Sequence, residues 1–308
     1  MVAVGDGKLL IVGGRTYRGS AEAFLADTWT YDARSNEWSE LEGAGPQARS
    51  QHAMAYDSKR GEVLVFGGYV GSSFTYADTW LLNVADGSWR RVRPETAPSA
   101  RAGSVLVYDE QIDAYVMFAG AEEPPAPELP LAETWLFDPD NETWIDVTTS
   151  VAPELVSEGH PTLFELAMVY DSTAERAVLL IAGEATWTFD GATQVWSQSD
   201  LGATQGLGAD YMVAAAYDTT LSRTVAYGGA PVARVSGTWL FDTAAGSWEK
   251  SEAPQHPGPI VNHAMAYEPH SGATFLFGGA TAVLVLDGVA PVTNAMWVLD
   301  QDGWRVVD

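Results

Sequence analysis

The chain has 308 residues, 46% of them hydrophobic, with 41 acidic against 16 basic side chains and a net charge of −25. That balance repels phosphate backbones and anionic bilayers, so nucleic-acid and membrane partners are not expected. The absence of cysteine excludes disulfides, thiolate metal sites and thiol nucleophiles.

No apolar run reaches the ~18 residues that would span a bilayer. Residues 1–7 are neither basic nor followed by a cleavable apolar region, so no signal peptide is visible. The compartment stays open: cytoplasmic, or secreted if a leader was removed. A single repeat domain over 1–308 is expected, and a monomer.

All twelve tryptophans fall into six pairs: Trp29/Trp38, Trp80/Trp89, Trp135/Trp144, Trp187/Trp196, Trp239/Trp248 and Trp297/Trp304. They recur about every fifty residues, which marks a repeated structural unit. In chain order the units are 1–41, 48–92, 100–147, 163–199, 210–251 and 260–308. The second shows the pattern best. An apolar segment, His52-Ala-Met-Ala-Tyr56-Asp57, meets a polar turn; Val63-Leu-Val-Phe66 then runs into Gly67-Gly68. A loop leads to Asp78-Thr79-Trp80, and a second turn leads to Trp89-Arg90-Arg91-Val92. Four short strands divided by turn chemistry predict an antiparallel all-β unit.

The doublet recurs as Gly13-Gly14, Ala119-Gly120, Ala182-Gly183, Gly228-Gly229 and Gly278-Gly279. Two copies carry alanine first, so a Cβ is tolerated there, whereas the second position needs a conformation or a close approach that only glycine allows cheaply. The first strand is apolar almost throughout and is expected to be buried on both faces. The fourth alternates with charge, a common protection for an outer edge. Six sheets running from buried to solvated and arranged radially predict a six-bladed β-propeller of four-stranded antiparallel blades. Each blade comes from one continuous segment.

The glycine doublet, the Asp-Thr-Trp segment, the second Trp nine residues on and the Tyr-Asp closing the first strand resemble the kelch family. The resemblance spans the whole chain and implies a six-bladed propeller; function across that family is diverse. Members often close with a shared blade, from which this chain departs. The lead-in that usually precedes the first inner strand is missing before Met1. Residues 282–286 form an unexplained apolar run inside the insertion 280–293.

Strand alternation places the long loops (15–26, 69–77, 121–132, 280–293) and the linkers between blades on one face, where function is expected. The 15–26 stretch, rich in Tyr, Arg and Phe, is a candidate partner-contact loop, and the Pro-rich 122–130 a stiff acidic one. By position, the resemblance puts the start of each inner strand at the channel mouth: Arg49, Gln51 and His52; Arg101 and Ser104; Phe164 and Glu165; Asp210 and Tyr211; Asn262 and His263. Charged, amide, imidazole and aromatic groups converging there would suit a polar ligand. Equally, His52 and His263 match the family's structural histidine, and Arg49 and Arg101 could pair with neighbouring loops. Glu165 and Asp210 interrupt apolar contexts and are the candidate catalytic acid/base groups.

No cofactor and no metal is expected. The only local histidine cluster, His160 with Glu158 and Glu165, reads as a solvated loop. Motifs of copper-radical oxidases, iron-dependent specifier proteins and sialidases, all on propellers, are absent. The leading expectation is a non-catalytic module binding a protein, peptide or glycan. The alternative is a small-molecule enzyme of the epimerase/mutarotase or lyase type, since some bacterial kelch propellers are sialic-acid mutarotases. A purely structural repeat is the third reading.

Overall fold

The computed structural model describes all residues except 19–20, 72–73, 123–129, 158–159, 162–165, 182–184, 200–212, 231–234, 253–255, 281–291 and 308. It is all-β, with six four-stranded antiparallel sheets, each in simple sequence order from inner to outer strand. The inner strands Val2–Ala3, Ala53–Asp57, Val105–Asp109, Leu166–Asp171, Ala214–Asp218 and Ala264–Glu268 neighbour one another around a ring, and the last lies against the first. The six sheets are thus the blades of a propeller. No described helix is long and apolar enough to cross a membrane.

The core is not central but divided into six seams. Each apolar cluster joins two adjacent blades, as Leu64, Phe66 and Leu81 of blade two meet Leu106, Met117 and Trp144 of blade three. The final seam packs Leu9 and Tyr31 of blade one on Phe275 and Met296 of blade six. The outer strand follows the expected alternation: in Thr143–Asp146 and Val195–Gln198 only the tryptophan is buried.

The inner strand meets the expectation of burial on both faces in blades three and six, where every residue of Val105–Asp109 and Ala264–Glu268 after the first is buried, and departs from it in blades two and four. Ala53–Asp57 and Leu166–Asp171 alternate buried with partly exposed residues, whereas the second strand Ala114–Phe118 is buried throughout. The inner strand has a sheet neighbour on one side only. The second has a strand on each side and a blade against each face.

The second tryptophan of a pair also ties blades together. The Nε1–H groups of Trp144, Trp196, Trp248 and Trp304 donate to the hydroxyls of Thr79, Thr134, Thr186 and Thr238 at 3.0, 2.9, 2.9 and 2.7 Å. Each threonine belongs to the preceding blade. The polar end of a large buried ring is thereby satisfied within the seam. At ring closure Met296 replaces the threonine, and Trp38 packs instead on Phe277, 5.0 Å between ring centroids.

The doublet has a distinct conformation at each position. The first residue is left-handed at Gly67 (φ 67°) and also at Ala119 (φ 65°), so a Cβ is accommodated there in blade three. The second, Gly68 (φ 92°) and Gly120 (φ 104°), lies where side chains are strained. The reason is docking: Gly68 N–H donates to Arg101 O at 2.9 Å and Gly14 N–H to Arg49 O at 2.8 Å, so the doublet of one blade receives the lead-in of the next. Blade five differs, because Arg223–Ala230 runs straight through Gly228-Gly229.

On the opposite face the acid closing the inner strand of blades two to six caps its turn. Asp57 Oδ1 accepts from Lys59 N and Arg60 N at 2.8 and 3.0 Å, and Asp109 repeats this with Gln111 and Ile112. Asp57 also holds Arg60 at 2.8 Å, but Ile112 stands where Arg60 would. Burial therefore pushes the Asp109 carboxyl above the usual range, only partly offset by the turn N–H groups and Tyr170. Its folded pKa exceeds the unfolded one, so its stabilising contribution is complete below the unfolded value and is lost as pH rises through the folded value. Asp109→Asn should gain stability at neutral pH, with the gain shrinking in acid. Thermal melts of both forms at pH 4 and pH 7 check this; a loss at pH 7 would contradict it.

Candidate functional site

The lead-ins to blades two and three are built alike. Arg49 is completely buried, and its guanidinium forks onto Asp78, Nη1 to Oδ1 at 2.6 Å and Nη2 to Oδ2 at 3.0 Å. Nη1 also donates to Gly67 O and Nε to Gln47 O, both at 2.9 Å, and the Tyr76 ring lies 4.0 Å from Cζ. Arg101 is buried equally, on Glu133 at 2.7 Å, Ser99 and Ala119 O. The same carboxylates accept from the tryptophan two residues on: Trp80 Nε1 to Asp78 at 2.8 Å, and Trp135 Nε1 to Glu133 at 2.9 Å. Burial pushes Asp78 up, but the bonds from Arg49 and Trp80 outweigh it and hold the carboxyl below its usual value. Both arginines thus face inward into their own blades.

Gln51 and Asn262 occupy matching positions, both left-handed (φ 54° and 56°), as is Gly103 (φ 75°) in blade three. Asn262 is exposed and Gln51 half-buried. Gly103 N–H donates to Gln51 O at 2.9 Å, joining the two lead-ins. His52, Ser104 and His263 follow them. Ser104 Oγ donates to Ala119 O at 3.0 Å, and His263 Nε2 donates to Tyr227 O at 3.0 Å. Burial drives His263 down to about 4; burial and the Arg49 charge drive His52 down to about 3. Both imidazoles stay neutral at physiological pH. Gln51 Oε1, His52 Nδ1 and His263 Nδ1 make no hydrogen bond among the described residues. Phe164, Glu165, Asp210 and Tyr211 lie outside those residues, as do the 282–286 run and most of 122–130. No group of three or more acidic or histidine side chains among the described residues is placed to hold a metal.

The 15–26 stretch, a candidate partner-contact loop, is a hairpin. Lys8–Arg18 and Ala21–Asp32 stay paired past a bulge at Val12/Gly14, from Gly14↔Leu25 to Arg18↔Ala21. Beside it a second small hairpin pairs Tyr69–Val70 with Phe74–Thr75. The two share one surface. Arg15 Nη1 donates to Glu22 and to the Tyr69 hydroxyl, each at 2.9 Å, and Phe24 meets Tyr69 edge-on at 5.4 Å. Phe74, 58% exposed, stands edge-on to Tyr76 at 4.9 Å. The sequence flagged both loops but not their union, nor Asp78 and Glu133 as the arginines' partners. The available signal was that an acid precedes Thr-Trp in the two blades whose lead-in carries arginine.

Blade order, seams and doublet docking define a kelch-type six-bladed β-propeller with its varied loops on one face. The chain belongs to the family described as the KLHDC2/KLHL20/DRC7 Kelch-repeats domain, whose model matches residues 1–229. It is similar to Mei4-dependent protein 6 of Schizosaccharomyces pombe, 24% identical over 170 residues, which are 50% of this chain and 23% of that protein. A 91-residue stretch, 29% of the chain, is 31% identical to 2% of the flagellar outer-arm dynein alpha chain of Chlamydomonas reinhardtii. The chain therefore spans under a quarter of the length of either relative. Among solved structures it resembles YjhT with a TM-score of 0.63 at 13% identity, covering 96% of this chain and 97% of that one, a likeness of fold.

Proposed function

We propose that the chain is a binding module that presents its loop-rich face to a protein or peptide. The carrying observation is the ridge of Arg15, Phe24, Phe74 and Tyr76, with Tyr69 buried beneath Arg15 and Phe24, which comes from loops peculiar to blades one and two. Aromatic residues and arginine are the side chains that dominate protein interfaces energetically. Asn262, exposed at the lead-in to blade six, offers a further polar group. The alternative, turnover of a sugar-like substrate by Glu165 or Asp210 with Arg49 and Arg101 clamping a carboxylate, draws less support. Both arginines already spend their guanidinium groups on acids of their own blades.

A photo-crosslinker at Phe74 should give a discrete adduct in cell extract, and one at Ala244, on a short turn of the opposite face, none. Adducts from Ala244 alone would contradict the reading.

A further inference from the structure

In the first three blades the leading tryptophan donates Nε1–H to an acid two residues before it: Trp29 to Asp27, Trp80 to Asp78 and Trp135 to Glu133, at 2.9, 2.8 and 2.9 Å. Blade five has Gly237 in that position. A Cβ built there would lie 3.4 Å from Trp239 Nε1 and 3.4 Å from Lys250 Cε, so these groups flank the path an acidic side chain would take. Lys250 pairs across the sheet with Trp239 as Arg91 pairs with Trp80. Its ammonium sits 5.9 Å from the Trp239 ring centroid. Among the described residues Lys250 has no ion pair, and the Trp239 indole N–H no acceptor. Blade two therefore has cation, indole and carboxylate together; blade five keeps the first two and lacks the third. Blades four and six lack the acid as well, with Ala185 and Ala295, but set Gln198 and Val306 opposite the tryptophan. Blade five alone combines the missing acid with a cation.

The space forms a pocket of about 160 Å³ lined by Ser236, Gly237, Thr238, Lys250, Glu252 and His256. Gly258 N–H donates to His256 Nδ1 at 3.1 Å, which leaves the ring proton on Nε2. We propose that this pocket binds a carboxylate brought by a ligand, in place of the acid that the repeat has lost. An indole N–H and an ammonium flanking one point suit a two-oxygen anion, since charge-assisted hydrogen bonds are the strong ones. Glu252, which also lines the pocket, opposes any anion and a dianion such as phosphate most. The pocket stands apart from the ridge of blades one and two, so either assignment can fail alone.

The test is a titration of indole-¹⁵N-labelled protein with sodium acetate against sodium chloride at equal ionic strength. Trp239→Phe identifies the resonance. The Trp239 indole signal should shift saturably in acetate, while those of Trp80 and Trp135, already paired, stay put. Gly237→Asp supplies the carboxylate from within. Gly237 is not in a strained conformation and its Cβ meets nothing closer than 3.4 Å, so a Cβ is accommodated there. It should shift the resonance without acetate and weaken the acetate response at least about tenfold. An acid-containing amidated peptide and a free-ended peptide without acid then distinguish a side chain from a chain end as the source. A Trp239 signal that moves no further in acetate than in chloride, or equally in Gly237→Asp, overturns the proposal.

Discussion

Asp78→Ala should cost about 3–5 kcal/mol, the loss expected when one partner of a buried ion pair is removed. The arginine left behind is 1% exposed at its side chain and holds both carboxylate oxygens in the intact protein. The indole of Trp80 loses its acceptor in the same step. Because the folded pKa of Asp78 lies below its unfolded value, its contribution is present above the unfolded pKa. It is lost as pH falls through the folded value, so the gap between variant and wild type narrows in acid. Urea denaturation at pH 7 and pH 3 measures both effects. A loss under about 1 kcal/mol would mean that water reaches Arg49 and that it is free to serve a ligand.

Trp144→Ala is expected to cost a similar amount, about 3–5 kcal/mol. The ring is 3% exposed, touches Phe66 of blade two at 5.2 Å and Phe137 at 5.1 Å, and bonds Thr79 across the seam. Thr79→Val keeps the shape but strands the indole N–H, at about 1–3 kcal/mol. Ring closure offers the internal control. Trp38 packs on Phe277 in a seam where Met296 replaces the threonine, so Trp38→Phe should be milder than Trp144→Phe. Equal losses in the two variants would show that the inter-blade bond adds nothing.

Repetition made the blades legible. Large rings at fixed phase mark a repeated packing unit, and the six seams take up eleven of the twelve tryptophans, all but Trp29. The second glycine was legible for a related reason, since in blades one, two, three and six its φ lies at 106°, 92°, 104° and 97°, where any side chain is strained. Less could be read where meaning depends on three-dimensional neighbours. Inner and second strands look equally apolar, yet only the second has neighbours on both sides and both faces. Arg49 reads as a candidate ligand group until Asp78, twenty-nine residues away, is seen to hold it. Residues 15–26 read as a loop because the bulge at Val12/Gly14 hides the continued pairing. Gly237 looks like one more permissive position until the blades are compared at matching sites.

The central claim is that positions shared between blades build the propeller while those peculiar to single blades bind. Its most direct test measures stability and partner capture in the same preparations. Arg15→Ala with Phe74→Ala should shift unfolding by about 1 kcal/mol or less and abolish the adduct formed from a crosslinker at Asn262. Thr79→Val should lower stability and leave capture per folded molecule unchanged. Undiminished capture by the Arg15/Phe74 variant, with capture lost in the stable fraction of Thr79→Val, would contradict the account.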